Sequence, residues 1–588
     1  MLVFEFRSNR QVQVMGTNAV KWTGTRASSL LSSMHRSRGI GEKLILAVLL
    51  VVYSIPIWWF HHFPSQDGPG HLYNAYLLSG WWKSSFPVNR GFFALNRAPV
   101  PNWLTTGLLA LLMQVMTPAT AEKVVLTLYV IFLPLAMRYA ARSLRSSSRY
   151  IYLLGFLFIY NYFFHLGMLN FCVSLAWYLV FIGYWARNRH CLGFRQILIL
   201  LCLTLLFYFS NGLSYFIGLL TVAVLSVASF FSEYHRGNLT GWWEKLVRPH
   251  IGLLLVVPLS LSYLALHGPY YDWSRSSPLT WGDISWMFSR LTVLTAANDN
   301  IDLRITHAVA AVLVLAFGLK CYSRMKVRKL IWTDSLLIAA LLQFILYLLA
   351  PEAAAGVGLI KARIILFPLL TLVLWLTVQP FKRTFTVILT FAVVFASLAL
   401  VGRDVNRYVW QAPMLDQFFA AADHIERNST ILPLSFHQAG YDPQGRDRKL
   451  KYDPFLHATE LIAIEKGLVD LNDYEAATRN FPLVYEYALD PSRIIGHERE
   501  YGFPPQAYVT SYYRSTGRFV DYVLLWNVRA EDFSNADAQR TFKELAANYE
   551  LVYSAPQIPL QLFARRLRQS SSLWPGEGSS RSARHRDR

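Results

Sequence analysis

Long apolar runs without charged residues recur along the first two thirds of the chain, and they limit its fold more than any other feature. A helix needs about 20 apolar residues to cross a bilayer. The runs 150–186 and 196–232 are too long for one crossing, so each is predicted to hold two helices with turns near His165 and Asn211. The other runs are 44–60, 124–137, 251–266, 305–319, 335–350, 364–380 and 384–401. Together they predict a polytopic α-helical membrane protein with about eleven transmembrane helices.

Basic clusters in the connecting loops predict how these helices are oriented. Loops that are rich in Lys and Arg stay on the cytoplasmic side of a membrane. If residues 102–141 cross only once, every basic cluster and the basic N-terminal tail fall on that side. We therefore expect the apolar segment 102–116 to be a surface or re-entrant helix. The clusters are Arg142/Arg145/Arg149, Arg187/Arg189/Arg195, Arg236/Lys245/Arg248, Arg324/Lys326/Arg328/Lys329 and Lys382/Arg383.

This orientation makes the N-terminus cytoplasmic and brings several polar segments to one extracytoplasmic face. The segments are the loop that contains Asp67, the turns near His165 and Asn211, the long loop 267–303, the loop before Lys361, and everything after Arg403. Polar groups that converge at one membrane face predict a functional site there.

Composition excludes two other classes of protein. The sequence is 54% hydrophobic and only 16% charged, which rules out a single soluble domain. The formal charge of +20 could indicate nucleic-acid binding, but the Lys and Arg residues lie largely in short loops, where they orient helices. We therefore predict no nucleic-acid partner. The four cysteines have no ligand-like spacing, so they predict neither a disulfide framework nor a zinc site.

The segments outside the membrane domain differ in character. Residues 403–568 have mixed charge and short amphipathic stretches, and predict a folded extracytoplasmic α/β domain. Residues 1–40 and 569–588 are rich in Ser, Gly and Arg and predict disordered tails, the first of them cytoplasmic. The multi-helix membrane domain is then 41–402.

One polar stretch, Phe63 to His71, follows the first apolar run directly. Asp67 and His71 are ionisable groups at a membrane border, and the Gly-Pro-Gly between them lets a backbone approach a ligand closely. The segment Leu72 to Trp82 is apolar and aromatic, so we expect a short helix along the membrane surface. We interpret 61–101 as an active-site loop.

This layout resembles the GT-C superfamily of membrane glycosyltransferases, which use polyprenyl-phosphate sugars. The features that match are an acidic residue in the first extracytoplasmic loop (Asp67), many helices, a basic pair at the outer end of a late helix (Lys361 and Arg363), and a C-terminal extracytoplasmic domain. The resemblance covers nearly the whole chain as architecture. The chain has Asp67 alone where many members carry two adjacent acids, and it lacks the Trp-Trp-Asp-type motif of the oligosaccharyltransferase branch.

The resemblance implies a chemistry that needs few residue types. A sugar on a lipid phosphate leaves behind a phosphate that needs little protonation, so one general base for the acceptor hydroxyl can suffice. Asp67 is the candidate base, with His71 beside it as a second catalytic candidate. Arg363, with Lys361 near it, is the candidate for binding the phosphate, since an Arg fork matches phosphate oxygens.

Each of these residues also has a structural interpretation. Asp67 could cap the helix that starts near Pro69. His71 could pair with Asp67, bind a metal with it, or only sit at the interface. Lys361 and Arg363 could be flanking anchors, although cations are disfavoured on an outer face. The only cofactor that the sequence leaves open is a divalent cation, Mg²⁺ or Mn²⁺, with its ligands unknown.

Three further polar residues are candidates for contacting substrate. His165 and Asn170 lie at one predicted turn and Asn211 at another, so all three can line a shared cavity. Polar residues between helices also serve as interhelical hydrogen-bonding groups, and this alternative stays open.

The sequence thus predicts a membrane glycosyltransferase that moves a sugar from a polyprenyl-phosphate donor to a glycan, lipid or protein acceptor at the extracytoplasmic face. A bacterial inner membrane fits the absence of retention signals and of extracytoplasmic cysteines. One alternative is an O-antigen ligase or polymerase, which places its basic residues in a large mid-chain loop such as 267–303. Another is a secondary transporter or lipid flippase, for which we find no internal repeat.

Overall fold

The structure is a computed structural model that describes most of the chain. It covers residues 20–81, 91–148, 150–189, 193–234, 256–267, 285, 292–327, 331–353, 357–437, 449–495, 505, 507–555 and 557–566. Most of the loop 267–303, the predicted tail 569–588, and residues 1–19 lie outside these ranges.

The chain divides into two compact units, Met1–Val52 and Tyr53–Arg588. The first contains most of helix α1 (Val20–Trp59), whose apolar part, Ile40–Trp59, is long enough to cross a membrane. This helix begins at Val20, inside the segment that the sequence predicted to be disordered. Once an apolar segment is helical, extending it by further residues requires no new nucleation, so the polar residues before Ile40 continue the helix.

The second unit contains the other membrane helices. Among the described residues, eight helical segments including that of α1 have the length and hydropathy to cross a membrane, and three apolar helices are shorter. Two of the predicted turns are confirmed, because helices end and restart at Gly167 and at Asn211. The helices are α2 (Gly68–Gly80), α3 (Trp103–Leu112), α4 (Pro118–Ser143), α5 (Tyr162–Leu166), α6 (Leu169–Asn188), α7 (Phe194–Ser210), α8 (Gly212–Tyr234), α9 (Val257–His267), α10 (Asn300–Val327), α11 (Ser335–Leu349), α12 (Ile360–Ile364), α13 (Leu366–Val378) and α14 (Arg383–Phe419), with a 3-10 helix at Ile151–Phe158.

Helix α3 occupies the segment whose crossing the sequence left open. Its ten residues span about 15 Å, half of the ~30 Å hydrocarbon core, so the helix does not cross. The predicted single crossing of residues 102–141 therefore falls to α4, while the total of about eleven crossings stays a prediction.

Helix α14 runs without a break from the membrane segment into the C-terminal part. The predicted domain boundary at residue 403 falls inside it. The charged residues that suggested the boundary stay helical because they are paired: Arg407 bonds both to Asp404, one turn away, and to Asp302 of α10.

The C-terminal part forms the predicted α/β domain around a five-stranded sheet of order β3-β2-β5-β7-β6. Strand β2 is parallel to β3 and β5, whereas β7 is antiparallel to β5 and β6. The fold class predicted from the sequence is confirmed. The strands are β1 (Phe93–Leu95), β2 (Thr430–Ser435), β3 (Val469–Asp470), β4 (Leu483–Tyr485), β5 (Tyr522–Trp526), β6 (Tyr549–Ser554) and β7 (Leu560–Arg565), and the remaining helices are α15 (Thr459–Lys466), α16 (Tyr474–Thr478), α17 (Pro491–Ile494), α18 (Val509–Thr516) and α19 (Ala536–Asn548).

The loop after α1 is built into this domain. Strand β1 pairs antiparallel with β4, Phe93 opposite Tyr485. Helix α2 is almost wholly buried, and its Tyr73 hydroxyl donates to the Leu468 carbonyl at 2.9 Å. The expectation that α2 lies along the membrane surface is therefore wrong. Its apolar side chains are covered by the C-terminal domain, in one core that contains Tyr73, Leu77 and Ile462.

Candidate active site

A cavity of about 360 Å³ lies where the polar segments meet. Its size is within the range of small-molecule binding sites. It is lined by the start of α2, the turn between α5 and α6, the turn before α8, the loop before α12, and the C-terminal domain. The predicted convergence of these segments is confirmed. Five of the seven candidate residues line the cavity: Asp67, His71, Asn170, Asn211 and Arg363.

The backbone around Asp67 is fixed by a close approach of two turns. The Asp67 amide donates to the Leu166 carbonyl at 2.8 Å. Next to it, Gly167 has a φ of 81°, and a Cβ at this position would lie 2.3 Å from the Gly68 nitrogen. Only glycine fits both the left-handed backbone and the contact. The α5–α6 turn thus positions the aspartate.

The Asp67 carboxylate does not cap α2. The residue stands at the N-cap position, yet its side chain makes no capping hydrogen bond. Instead it accepts a hydrogen bond from Gln66 Nε2 at 3.0 Å, and His457 Nε2 lies 3.8 Å away. The geometry therefore does not support the capping interpretation.

Burial sets the protonation behaviour of Asp67. Loss of solvent raises the pKa of its carboxyl to about 6, and the nearby His71 is the strongest of the groups that oppose this rise. A carboxylate with a pKa near 6 is ionised at neutral pH and holds a proton more tightly than an exposed one. These are the properties of a general base.

His71 is bound to a carboxylate that the sequence analysis did not single out. Its Nδ1 contacts Oε1 of Glu475 on α16, and both side chains are buried. Burial lowers the pKa of His71, but the nearby carboxyl groups, Glu475 first among them, together outweigh burial, so the pKa is raised above its usual value. His71 Nε2 has no hydrogen-bond partner among the described residues. An oriented imidazole with a raised pKa thus stands on the cavity wall.

More carboxyl groups lie behind His71. Asp473 caps α16 through the Glu475 amide and also accepts from Asn74, both at 3.0 Å. Burial raises the pKa of Asp473 to about 8 and that of Asp470 to about 7. The pKa of Glu460 is raised well above its usual value by burial and by these two neighbours. The inner side of the site therefore holds protonated acids at neutral pH.

Two cations line other parts of the cavity. The Arg363 guanidinium lies beside the turn between α5 and α6, with Nη2 3.2 Å from Met168 Sδ and its carbon 5.6 Å from the centre of the Phe171 ring. Lys451 donates to the Thr295 hydroxyl at 2.8 Å, and burial lowers its pKa to about 7. One of the two cations was predicted from sequence.

Asn170 and Asn211 both line the cavity and also hold structure. Asn170 Oδ1 accepts from the Thr105 amide at 3.0 Å, and Asn211 Oδ1 accepts from the Ser214 amide at 3.1 Å. The Asn170 amide nitrogen has no hydrogen-bond partner in the described part of the chain, although the residue is 3% exposed. It is therefore a donor that a ligand in the cavity can use.

The other two candidate residues are not part of the cavity wall. His165 is fully buried, with Nδ1 3.2 Å from the Tyr408 hydroxyl and Nε2 3.6 Å from Asp404 on α14. Leu166, its neighbour in α5, lines the cavity instead, because adjacent helical residues point about 100° apart. Lys361 is 3% exposed and does not line the cavity, whereas Arg363 two residues later does.

A divalent cation does not fit the donor atoms that the structure describes. Among these residues, no three His, Cys, Asp or Glu side chains meet in a metal-binding arrangement. Asp67 faces Gln66 and His457, while His71 is bound to Glu475. We therefore derive no step through a metal.

Sequence reasoning missed the contribution of the C-terminal domain to the site. Besides Lys451, the domain supplies His457 and Tyr474 to the wall, their rings 4.7 Å apart, and Glu475 lies behind His71. None of these residues stands in a recognisable motif spacing. The only signal was the density of acids and aromatics between residues 452 and 485.

Several solved structures resemble this chain, and two of them are described below, whereas no protein-family model and no curated protein matches the sequence. One is the arabinofuranosyltransferase AftD from Mycobacteria, at 16% identity and a TM-score of 0.46 over 89% of this chain. The match covers 40% of the AftD chain. The other is ArnT from Cupriavidus metallidurans in the apo state, at 10% identity and a TM-score of 0.44, over 90% of this chain and 98% of that one.

Proposed function

We propose that this protein is a membrane glycosyltransferase that moves a sugar from a polyprenyl-phosphate donor to the hydroxyl group of a glycan, lipid or protein acceptor. The proposal rests on one observation. The buried carboxylate of Asp67, which does not cap a helix, and the guanidinium of Arg363 line the same cavity. The reaction requires a base and a group that binds the leaving phosphate, and Asp67 and Arg363 can supply them.

The reaction follows from these two groups. The acceptor oxygen forms a bond to the anomeric carbon of the sugar while the bond from that carbon to the phosphate oxygen breaks. The hydroxyl proton passes to the Asp67 carboxylate, and the phosphate leaves with the bonding electron pair. Arg363 offsets the negative charge that develops on it. Asp67 returns its proton to solvent when the products leave.

The surroundings support this assignment of roles. The pKa of Asp67, near 6, leaves the group mostly ionised at pH 7, so that it is ready to accept a proton. Phe171 and Phe163 flank the guanidinium at 5.6 and 6.0 Å, and aromatic walls that exclude water strengthen its attraction for phosphate. Tyr474 and Phe481 on the opposite wall offer faces on which a sugar ring can stack.

We further propose that the cavity faces the extracytoplasmic side of a bacterial inner membrane. The argument is the charge asymmetry of the loops. All the basic clusters fall on the side opposite the C-terminal domain if the chain crosses about eleven times.

Retention of lipid by the purified protein tests the donor site. Native mass spectrometry would compare the wild type with Arg363→Ala and with Arg383→Ala, a control at an exposed position on α14. We expect a polyprenyl phosphate or its glycosylated form on the wild type and on the control, and its loss from Arg363→Ala. The mass of the glycosylated form would also identify the sugar.

The opposite outcome is equally definite. If all three proteins retain only bulk phospholipid while donor lipid is present in the membranes, the phosphate role of Arg363 is refuted. A lipid flippase would then become the leading interpretation.

A further inference from the structure

A contact between the C-terminal domain and the first loop carries a further inference, which rests on the proposed function. We propose that Glu475 is a positioning residue that keeps His71 charged and oriented, so that the positive imidazolium holds Asp67 in its ionised, proton-accepting form. We call Glu475, His71 and Asp67, taken in this order, the row, and their charges alternate in sign.

The geometry defines this row. Glu475 is fully buried on α16 and binds His71 Nδ1, and His71 stands one helical turn after Asp67, where its amide donates to the Asp67 carbonyl at 3.1 Å. Asp473 fixes the position of Glu475, since it accepts from the Glu475 amide at 3.0 Å. A carboxylate bound to one ring nitrogen sets the orientation of an imidazole.

Other charged groups surround the row and must be included in the balance. Asp67 is flanked by His457 at 3.8 Å and feels the Arg363 charge, which favours its ionised form. His71 feels Asp67 as well as Glu475, and both favour the imidazolium, whereas Asp473 adds little at neutral pH because its own pKa is raised to about 8. Behind them lies Glu460, whose pKa is raised well above its usual value by burial and by the neighbouring carboxyl groups, so that its charged form is disfavoured.

Two opposing effects decide how the loss of Glu475 acts on Asp67. The Glu475 charge itself repels the Asp67 charge, so its removal alone would make Asp67 easier to ionise. However, the charge on His71 has a larger effect on Asp67 than that of Glu475. Without Glu475, the two largest contributions that raise the pKa of His71 are lost while burial still lowers it, so the imidazolium is less favoured. The net result is that Asp67 becomes harder to ionise.

The variant Glu475→Gln tests this directly, because it removes the charge and keeps both the shape and an oxygen that can accept from His71 Nδ1. We expect the acidic limb of the profile of kcat/KM against pH to move to higher pH. A displacement by one pH unit lowers activity about tenfold on the limb, while activity at pH 9 returns to near that of the wild type. Glu465→Gln, at an exposed position on α15, is the matched control and should keep the wild-type profile.

A second variant checks that the effect passes through His71. In a His71→Gln background, where no imidazolium can form, we expect Glu475→Gln to produce no further upward displacement of the limb. An upward displacement of the same size in this background would show that Glu475 does not act through His71, and would overturn the proposal.

The direction of the displacement separates the possible outcomes. No displacement, with activity lowered equally at every pH, would mean that Glu475 only supports the fold. A displacement to lower pH would mean either that the direct repulsion between Glu475 and Asp67 outweighs the effect through His71, or that His71 is itself the base. Either result overturns this inference and leaves glycosyl transfer intact, whereas full activity of an Asp67→Asn enzyme would overturn the proposed function itself.

Discussion

Replacing Asp67 with Asn removes the proposed base and changes little else. The amide has the same shape as the carboxyl, and its oxygen can still accept a hydrogen bond from Gln66. The aspartate has a pKa that rises from 3.8 to about 6 on burial, which corresponds to about 3 kcal/mol in favour of the neutral form. A neutral Asn avoids this cost, so we expect no loss of thermal stability.

The expected loss of activity follows from the chemistry of proton transfer. A positioned general base contributes about 10²- to 10⁴-fold to a rate, or roughly 3–5 kcal/mol of barrier. We therefore expect kcat of Asp67→Asn to fall by at least about 100-fold. In the wild type, a pKa near 6 means that Asp67 is ionised in about one tenth of the molecules at pH 5 and in about nine tenths at pH 7. The rate of transfer should therefore rise as the pH passes through about 6.

Transfer can be measured in proteoliposomes with the donor lipid that native mass spectrometry identifies, over a range from pH 5 to pH 9. Asp423→Asn, at an exposed position after α14, is the control and should behave like the wild type. An Asp67→Asn enzyme that keeps more than about a tenth of the wild-type kcat, or that retains the rise through pH 6, would refute the role of Asp67 as the base.

Two predictions concern stability. The pKa of Glu460 is raised in the folded protein, which therefore keeps a proton that the unfolded chain releases above pH ~4.3. Stability should therefore fall as the pH rises from about 4.3 towards the pKa of Glu460 in the folded protein. The Tm of Glu460→Gln should fall less between pH 6 and pH 9 than the Tm of the wild type, whereas the exposed control Glu465→Gln should behave like the wild type. If Glu460→Gln shows the wild-type pH dependence of Tm, the argument is contradicted. Gly167→Ala should cost more than ~1–2 kcal/mol and lower transfer, because the new Cβ combines left-handed strain with a clash on Gly68. Gly318→Ala, which meets nothing within 4 Å, should leave both the melting temperature and transfer near those of the wild type.

The membrane part of the fold could be predicted because its signal is local. Apolar runs of sufficient length define the helices, and the polar and small residues at Gly167 and Asn211 mark the turns between them. The same information predicted which loops meet at one face, and so brought Asp67 and Arg363 together. The sequence could not show which side of the short helix α5 faces the cavity. It therefore predicted His165 on the cavity wall, where the structure has Leu166.

The second half of the site depends on contacts between residues that are distant in sequence. From sequence alone, α2 resembles a helix on the membrane surface, because the domain that covers it is distant in sequence. The burial of Tyr73 becomes evident only from its hydrogen bond to the Leu468 carbonyl. Glu475 gains its role from a contact with a histidine some four hundred residues earlier, for which no spacing rule exists. Charges in α14 suggested a domain boundary because their partner, Asp302, lies on another helix.

The bond between Asn74 and Asp473 joins residues 399 positions apart, and it has a consequence for how the molecule is made. A ribosome adds about 5–20 residues per second, so the loop that carries Asp67 emerges roughly 20–80 s before the segment that covers it. During this interval the loop lacks β4, α15 and α16, and the wall of the cavity is incomplete. Under the proposed function, the nascent protein would have no complete site for a donor lipid while its helices are still being inserted, and activity would begin only once the last domain has folded.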